Sequence, residues 1–211
     1  MNKFIITTPG RTASTSLFNY IESSLKEVDP DTVTIDRGLY SFDEWEQFNT
    51  AKSGAITTFN PFNFPAVLNT INPAECCLIV LSRKDFTSWL LSMNVTHATS
   101  EFHPGKDRIA RAISFKQDEF MSSYWYYKCW ERMIYDQADT YGFNKVVYVD
   151  FSELTSEWAH TGHRIGGWAW AFQPDLMKLG MTAGWKDITN LDEVLTWIPD
   201  DSIIREIKNS L

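Results

Sequence analysis

The sequence predicts an α/β fold of three layers, in which a mostly parallel central sheet is flanked by helices. Short β-rich runs alternate along the chain with segments of helical periodicity. The run CLIVL at 77–81 is the most apolar of all, and KVVYV at 145–149 is similar. Such runs are typical of parallel strands that are covered on both faces. No repeat or linker interrupts this order, and 211 residues fit one domain, so we expect a single domain over residues 1–211.

The predicted strands are short runs rich in β-branched and aromatic residues, each bounded by turn-forming residues. KFIITT at the beginning of the chain stops at Pro9-Gly10, and the third strand stops before Pro61. In chain order we predict strands over residues 3–8, 33–35, 55–59, 77–81 and 145–149.

The predicted helices follow from apolar residues that recur every three or four positions. The first is the clearest, because Leu17, Tyr20, Ile21 and Leu25 share one helical face. FDEWEQF at 42–48 has the same amphipathic pattern, over a shorter length. In chain order we predict helices over residues 16–26, 42–48, 64–71, 85–93 and, with a break near 114, 107–140, followed by helices beginning at 152 and 191.

Composition narrows the class of protein. Hydrophobic residues make up 44% of the chain and charged residues 22%, as in a folded globular protein. The net charge of −8 argues against binding to nucleic acid or to a lipid surface, which both need clustered positive charge. The sequence has no run of about 18 apolar residues, so we predict no membrane span. Three cysteines, two of them adjacent, do not form a disulfide framework, so we expect a cytoplasmic protein.

The loop that follows the first strand has the composition of an anion site. It reads Pro9-Gly10-Arg11-Thr12-Ala13-Ser14-Thr15. A helix that begins at Ala13 or Ser14 directs free N–H groups from its first turn toward a ligand. Gly10 and Ala13 let the backbone approach the ligand closely, the three hydroxyl side chains add donors, and Arg11 adds a permanent positive charge.

Two common nucleotide-binding patterns do not match this loop. A triphosphatase loop needs GxxxxGK[ST], but from Gly10 the positions of Gly-Lys are occupied by Thr15-Ser16. The dinucleotide pattern GxGxxG needs further glycines, and Gly10 is the only one in the loop. The remaining alternative is an ordinary strand–helix turn with a hydroxyl cap.

The segment Arg11-Thr12-Ala13-Ser14-Thr15 resembles the donor loop of the sulfotransferase family, Lys/Arg-Ser/Thr-Gly-Ser/Thr-Ser/Thr, with alanine in place of the glycine. A second resemblance is Arg83 at the end of a central strand, with Ser92 nine residues later. KVVYVDFSEL at 145–154 is similar to a late strand and turn of the family, and Gly184-Trp185-Lys186-Asp187 is a weaker match to its C-terminal loop. Together they imply a P-loop-like topology.

This resemblance implies a sulfotransferase that moves a sulfuryl group from 3′-phosphoadenosine-5′-phosphosulfate (PAPS) to an acceptor hydroxyl or amine. It implies that loop residues 10–15 bind the 5′-phosphosulfate, that Arg11 neutralises the leaving oxygen, and that Arg83, Ser92 and Lys186 bind the 3′-phosphate. It implies no metal, and a small-molecule or glycan as acceptor. Glu44 and His97 are candidates for the general base.

Two alternative functions stay open at the level of sequence. One is a nucleotide kinase or related phosphotransferase with a degenerate phosphate loop, although the Gly-Lys pair of such a loop is missing. The other is a non-catalytic nucleotide-binding protein on the same fold, because the histidine that many family members carry after the third strand is missing. Here that region reads Thr57-Thr58-Phe59-Asn60.

Overall fold

The computed structural model describes residues 2–35, 42–58, 61–99, 112–170 and 183–211. The described residues contain five strands: β1 (Lys3–Thr7), β2 (Val33–Ile35), β3 (Gly54–Thr58), β4 (Cys77–Ser82) and β5 (Lys145–Asp150). They contain nine α-helices: α1 (Ser14–Lys26), α2 (Phe42–Thr50), α3 (Phe64–Thr70), α4 (Phe86–Thr99), α5 (Gln117–Trp130), α6 (Phe151–Ser156), α7 (Trp158–Gly166), α8 (Leu191–Trp197) and α9 (Asp201–Asn209).

The five strands form one sheet in the order β2-β3-β1-β4-β5, and every neighbouring pair is parallel. The predicted fold class, an α/β sheet flanked by helices, is therefore confirmed. The central strand β1 pairs on one side with β3, where Thr7 lies opposite Thr58, and on the other with β4, where Thr7 lies opposite Val80.

The chain divides into two compact units. Unit 1 comprises Met1–Lys84 and Lys128–Pro174, and it contains the whole sheet. Unit 2 comprises Asp85–Tyr127 and Asp175–Leu211, and it contains α4, most of α5, α8 and α9. The single-domain organisation expected from the sequence stays a prediction.

Helices cover both faces of the sheet in unit 1, which explains why most residues of its strands are apolar. On one face, Ile5 packs in a cluster with Trp45 and Phe48 of α2 and with Trp130 and Ile134. The opposite face carries Phe4, whose ring lies 5.1 Å from that of Trp168. Here α1 packs against β3 and α7 packs against β5. Unit 1 is thus a sheet between two helical layers.

Unit 2 has a hydrophobic core of its own. Trp89 of α4, Phe120 of α5 and Val194 of α8 are fully buried in it, together with Ile207 of α9. The rings of Phe86, Trp89 and Tyr127 lie 4.7–6.0 Å apart in pairs. Much of the aromatic content of the chain therefore serves core packing.

The predicted and observed helices differ mainly at their ends. Helix α4 continues to Thr99, past the predicted end at residue 93. Its last turns hold two buried polar side chains, which bond back to the preceding turn: Asn94 donates to the Leu90 carbonyl and Thr96 to the Ser92 carbonyl, both at 2.8 Å. The predicted strand residue Phe59 and the predicted helical residues 107–111 lie outside the described residues.

Candidate anion-binding site

The strand order creates a crevice at the carboxyl ends of β1 and β4. The connection that leaves β1 leads to β2 on one side of the sheet, and the connection that leaves β4 leads to β5 on the other. Neighbouring parallel strands whose connections depart in opposite directions leave an open crevice between them, where α/β proteins bind ligands. The segment 8–13 follows β1 and Arg83 follows β4, so the strand order directs both to this crevice.

The loop after β1 has an unusual backbone. Gly10, Arg11 and Ala13 have positive φ angles of 82°, 54° and 61°, and Thr12 between the last two does not. Gly10 and Arg11 are thus two consecutive left-handed residues, and tight turns of this kind expose backbone N–H groups that can bind an anion. For the two non-glycine residues this conformation is strained, as often happens where a backbone is shaped for a ligand.

Thr8 holds this loop in shape. Its hydroxyl oxygen accepts a hydrogen bond from the Gly10 N–H at 3.1 Å and shares a short hydrogen bond with the Thr12 hydroxyl. The Thr8 N–H donates to the Thr58 carbonyl at 3.2 Å, which continues the pairing of β1 with β3. Thr8 was missed by the sequence analysis, although a threonine two residues before a loop glycine is a known turn signal.

Trp130 supports the strand end beneath the loop. Its indole N–H donates to the Thr7 hydroxyl at 3.2 Å, and both side chains are buried. Helix α5 ends at Trp130 and continues as one π-helical turn over Glu131–Tyr135, and such wide turns commonly occur near functional sites. No sequence signal identified this contact, because it joins residues that are distant in the chain.

The N-terminus of α1 has no side-chain cap. The capping position is occupied by Ala13, whose methyl group accepts no hydrogen bond, and among the described residues no acidic side chain lies in the first turn. Most helices satisfy their first N–H groups with a hydroxyl or carboxylate side chain at this position. The positive end of the helix dipole is therefore not neutralised locally and favours an anion.

Two arginines add positive charge to the same crevice. Burial lowers the pKa of Arg11, and the positive charge of Arg83 lowers it further. The two guanidinium groups are thus close enough to repel each other. Like charges brought together in a half-buried place are stabilised by an anion between them.

Arg83 is supported by the junction of β5 and α6. Its guanidinium carbon lies 4.9 Å from the centre of the Phe151 ring, within the range of a cation–π interaction. One carboxylate oxygen of Asp150 accepts from the Lys84 N–H at 2.8 Å. The other accepts from the Ser152 N–H at 3.0 Å and from its hydroxyl at 2.5 Å, which caps α6.

The hydrogen bonds to Asp150 change its titration. Burial by itself would raise the pKa of this carboxyl, but the bonds from Ser152 and from the Lys84 N–H outweigh it, so the pKa lies below its ordinary value. Asp150 therefore stays ionised at neutral pH, where the ties from the carboxylate to Lys84 and Ser152 are at full strength. Asp150 directly follows the strand predicted over residues 145–149, and no sequence motif indicated a role for it.

The predicted loop residues differ in what their side chains face. Thr12 is fully buried and its hydroxyl bonds to Thr8, so in this structure the side chain stabilises the loop. Ser14 is buried in the first turn of α1, whereas Gly10, Arg11 and Thr15 are half-buried. Binding of an anion by these residues stays a prediction.

Three predicted site residues belong to unit 2. Ser92 is buried within α4. His97 follows five residues later on the same helix and is exposed, with its Nδ1 3.5 Å from the Ser123 hydroxyl. Five residues correspond to about 140° around a helix, so these two side chains leave α4 in different directions. Lys186 is exposed in a short 3₁₀ turn whose neighbour Trp185 is buried.

Glu44 lies in the first turn of α2, beside Asp43. Acidic side chains at a helix N-terminus stabilise the helix through its dipole, so this position has a structural reason to be acidic. Its role as a base stays a prediction.

The adjacent cysteines Cys76 and Cys77 are both buried. Burial raises the pKa of Cys76 to about 11 and that of Cys77 to about 12, so both thiols stay protonated and unreactive.

Within the described ranges, no three His, Cys, Asp or Glu side chains are grouped to hold a metal ion. None of the described helices has the length and hydropathy needed to span a membrane.

No protein-family model matches this chain, and no curated protein matches it. Among solved structures, the chain is similar to that of mouse sulfotransferase SULT7A1 complexed with PAP. The similarity covers 92% of this chain and 67% of the other, with 12% sequence identity and a TM-score of 0.47. At this distance the chemistry of the site has to be argued from its own residues.

Proposed function

We propose that this protein is a sulfotransferase that uses PAPS as donor and a hydroxyl or amine as acceptor. The observation that carries the proposal is the loop after β1, in which left-handed residues lead into the uncapped N-terminus of α1. Such a loop supplies convergent N–H donors without a lysine, which favours a sulfate or phosphate ester over a magnesium-bound triphosphate.

The residues of unit 1 fit the charge and shape of this donor. The loop and the first turn of α1 would hold the 5′-phosphosulfate, since both direct N–H groups outward. Arg83 would hold the 3′-phosphate, because its planar guanidinium can bind two phosphate oxygens at once. Ser92 and Lys186 of unit 2 stay predicted ligands of the same phosphate. When bound, PAPS supplies an activated sulfuryl group.

Arg11 is the residue that we expect to matter most for the chemical step. A half-buried guanidinium in the loop stabilises negative charge that develops on the leaving oxygen, without any reorganisation at the moment of transfer. The first turn of α1 adds its dipole to the same effect. The acceptor's proton needs a base, for which Glu44 and His97 are the candidates.

Thermal unfolding with added nucleotide tests the proposal directly. Adenosine 3′,5′-bisphosphate should raise the melting temperature in the presence of a metal chelator, whereas ATP with magnesium should not. Transfer of labelled sulfate from PAPS to a panel of phenols, sugars and amines then tests turnover, and Arg11→Ala should abolish it. Stabilisation by ATP with magnesium alone would identify a phosphotransferase, and donor binding without transfer to any acceptor would identify a non-catalytic binding protein.

A further inference from the structure

We infer that Asp150 and Phe151, at the junction of β5 and α6, are positioning residues that hold Arg83 and thereby determine how strongly the site prefers a nucleotide with a second phosphate. The inference rests on the proposed function, in which Arg83 binds the 3′-phosphate. It concerns two residues that do not themselves need to touch the ligand.

Asp150 fixes the backbone next to Arg83. Its side chain is buried, and one carboxylate oxygen accepts from the N–H of Lys84, the residue immediately after Arg83. The other oxygen is bonded to Ser152 at the start of α6. The turn after β4 is therefore tied to β5 by a charge-assisted hydrogen bond, which is about twice as strong as a neutral one.

Phe151 fixes the side chain of Arg83. The guanidinium carbon lies over the ring, 4.9 Å from its centre, so the cation meets the negative face of the ring. Hydrogen bonds to a phosphate are made in the plane of the guanidinium and not through its face. An edge of the guanidinium that is turned away from Phe151 can still bind two phosphate oxygens, and the ring contact removes freedom that a long side chain would otherwise lose on binding.

This support acts on one part of the ligand only. The 5′-phosphosulfate would be held by the loop after β1, which is shaped by Thr8 and not by the β5–α6 junction. Weakening the support of Arg83 should therefore reduce the affinity for the 3′-phosphate and leave the affinity for the 5′ group almost unchanged. A general loss of folding would instead reduce both.

The experiment compares two nucleotides by calorimetry, adenosine 3′,5′-bisphosphate and adenosine 5′-monophosphate. The ratio of their Kd values measures the preference for a second phosphate. We expect Arg83→Ala to lower this ratio most, and Phe151→Leu to lower it about two- to fivefold, the size of a cation–π contact at a partly exposed site. Phe151→Tyr keeps the ring face and should keep the ratio.

A double variant distinguishes positioning from a general structural effect. In the Arg83→Ala background, Phe151→Leu should not change the ratio of the two Kd values, because the side chain that Phe151 positions is gone. In the wild-type background, Asp150→Asn should lower the ratio as well. Asp139→Asn is the matched control and should leave the ratio unchanged, because the Asp139 carboxylate accepts from the hydroxyl of Tyr148 in β5 and not from the turn after β4. Melting temperatures recorded for each variant identify any that fails to fold.

Two results would overturn the inference. If the wild-type preference survives Phe151→Leu and Asp150→Asn although Arg83→Ala lowers it, the inference fails and the proposed function stands. If the wild-type protein binds both nucleotides equally, or binds neither, the proposed function fails and the inference fails with it.

Discussion

Replacing Ala13 with glycine should stabilise the protein. Ala13 has φ 61° and ψ 28°, in the left-handed region. This conformation costs an L-residue roughly 1–2 kcal/mol and costs glycine nothing. Glycine also loosens the unfolded chain, which removes about 0.4–1 kcal/mol of stability. The difference predicts a gain of about 0.5–1 kcal/mol for Ala13→Gly.

The same substitution at a right-handed position provides the control. Ala66 is exposed within α3, where a change to glycine costs about 0.5–1 kcal/mol. In a chain of 211 residues these energies correspond to about 1–4 °C, upward for Ala13→Gly and downward for Ala66→Gly. Differential scanning calorimetry of the three proteins measures both shifts.

A fall in melting temperature of the same size in both variants would refute the reasoning, since it would mean that Ala13 carries no left-handed strain. Adenosine 3′,5′-bisphosphate provides a second measurement. Its stabilising effect should persist in Ala13→Gly, because glycine adopts the same φ and ψ and leaves the N–H groups where they are.

Three further substitutions have expected outcomes. Asp150→Asn should lower the free energy of unfolding by about 1–3 kcal/mol at neutral pH, as measured by urea unfolding. Because the pKa of Asp150 is lowered in the folded state, the difference from wild type should shrink below about pH 4, where the carboxyl of the unfolded chain protonates. Thr8→Val should cost about 1–3 kcal/mol by leaving the Gly10 N–H without its acceptor, and phosphate binding should weaken with it, as measured by calorimetry. Gly162→Ala should cost about 1–3 kcal/mol in urea unfolding, because a Cβ there would lie 2.4 Å from the Trp170 ring.

The sequence was most informative where local chemistry decides the structure. Alternating apolar runs and helical periods predicted all five strands and the class of sheet, because each run has to bury itself whatever its neighbours are. The small and hydroxyl residues of the loop also predicted an anion site at the start of α1, and this stays a prediction. The left-handed conformation of Ala13 is one that glycine would adopt without strain.

Contacts between distant segments were beyond what the sequence could predict. Trp130 and Thr7 meet through the packing of a helix on the sheet, and Phe151 meets Arg83 because β4 and β5 are neighbours. Neither pairing has a local pattern. The roles of Thr8 and Asp150 depend in the same way on the conformation of the backbone that they bond to.

The position of β1 in the sheet has a consequence for synthesis of the protein. It is the first strand along the chain, yet it lies between β3 and β4. A ribosome that makes the chain from its N-terminus releases β1 before either partner exists, so the loop after it acquires its shape late. A nascent chain that stops before Asp150 would carry the loop after β1 and Arg83, and would still lack the carboxylate that holds the turn beside Arg83. The turn that presents Arg83 is therefore completed only once β5 has been made.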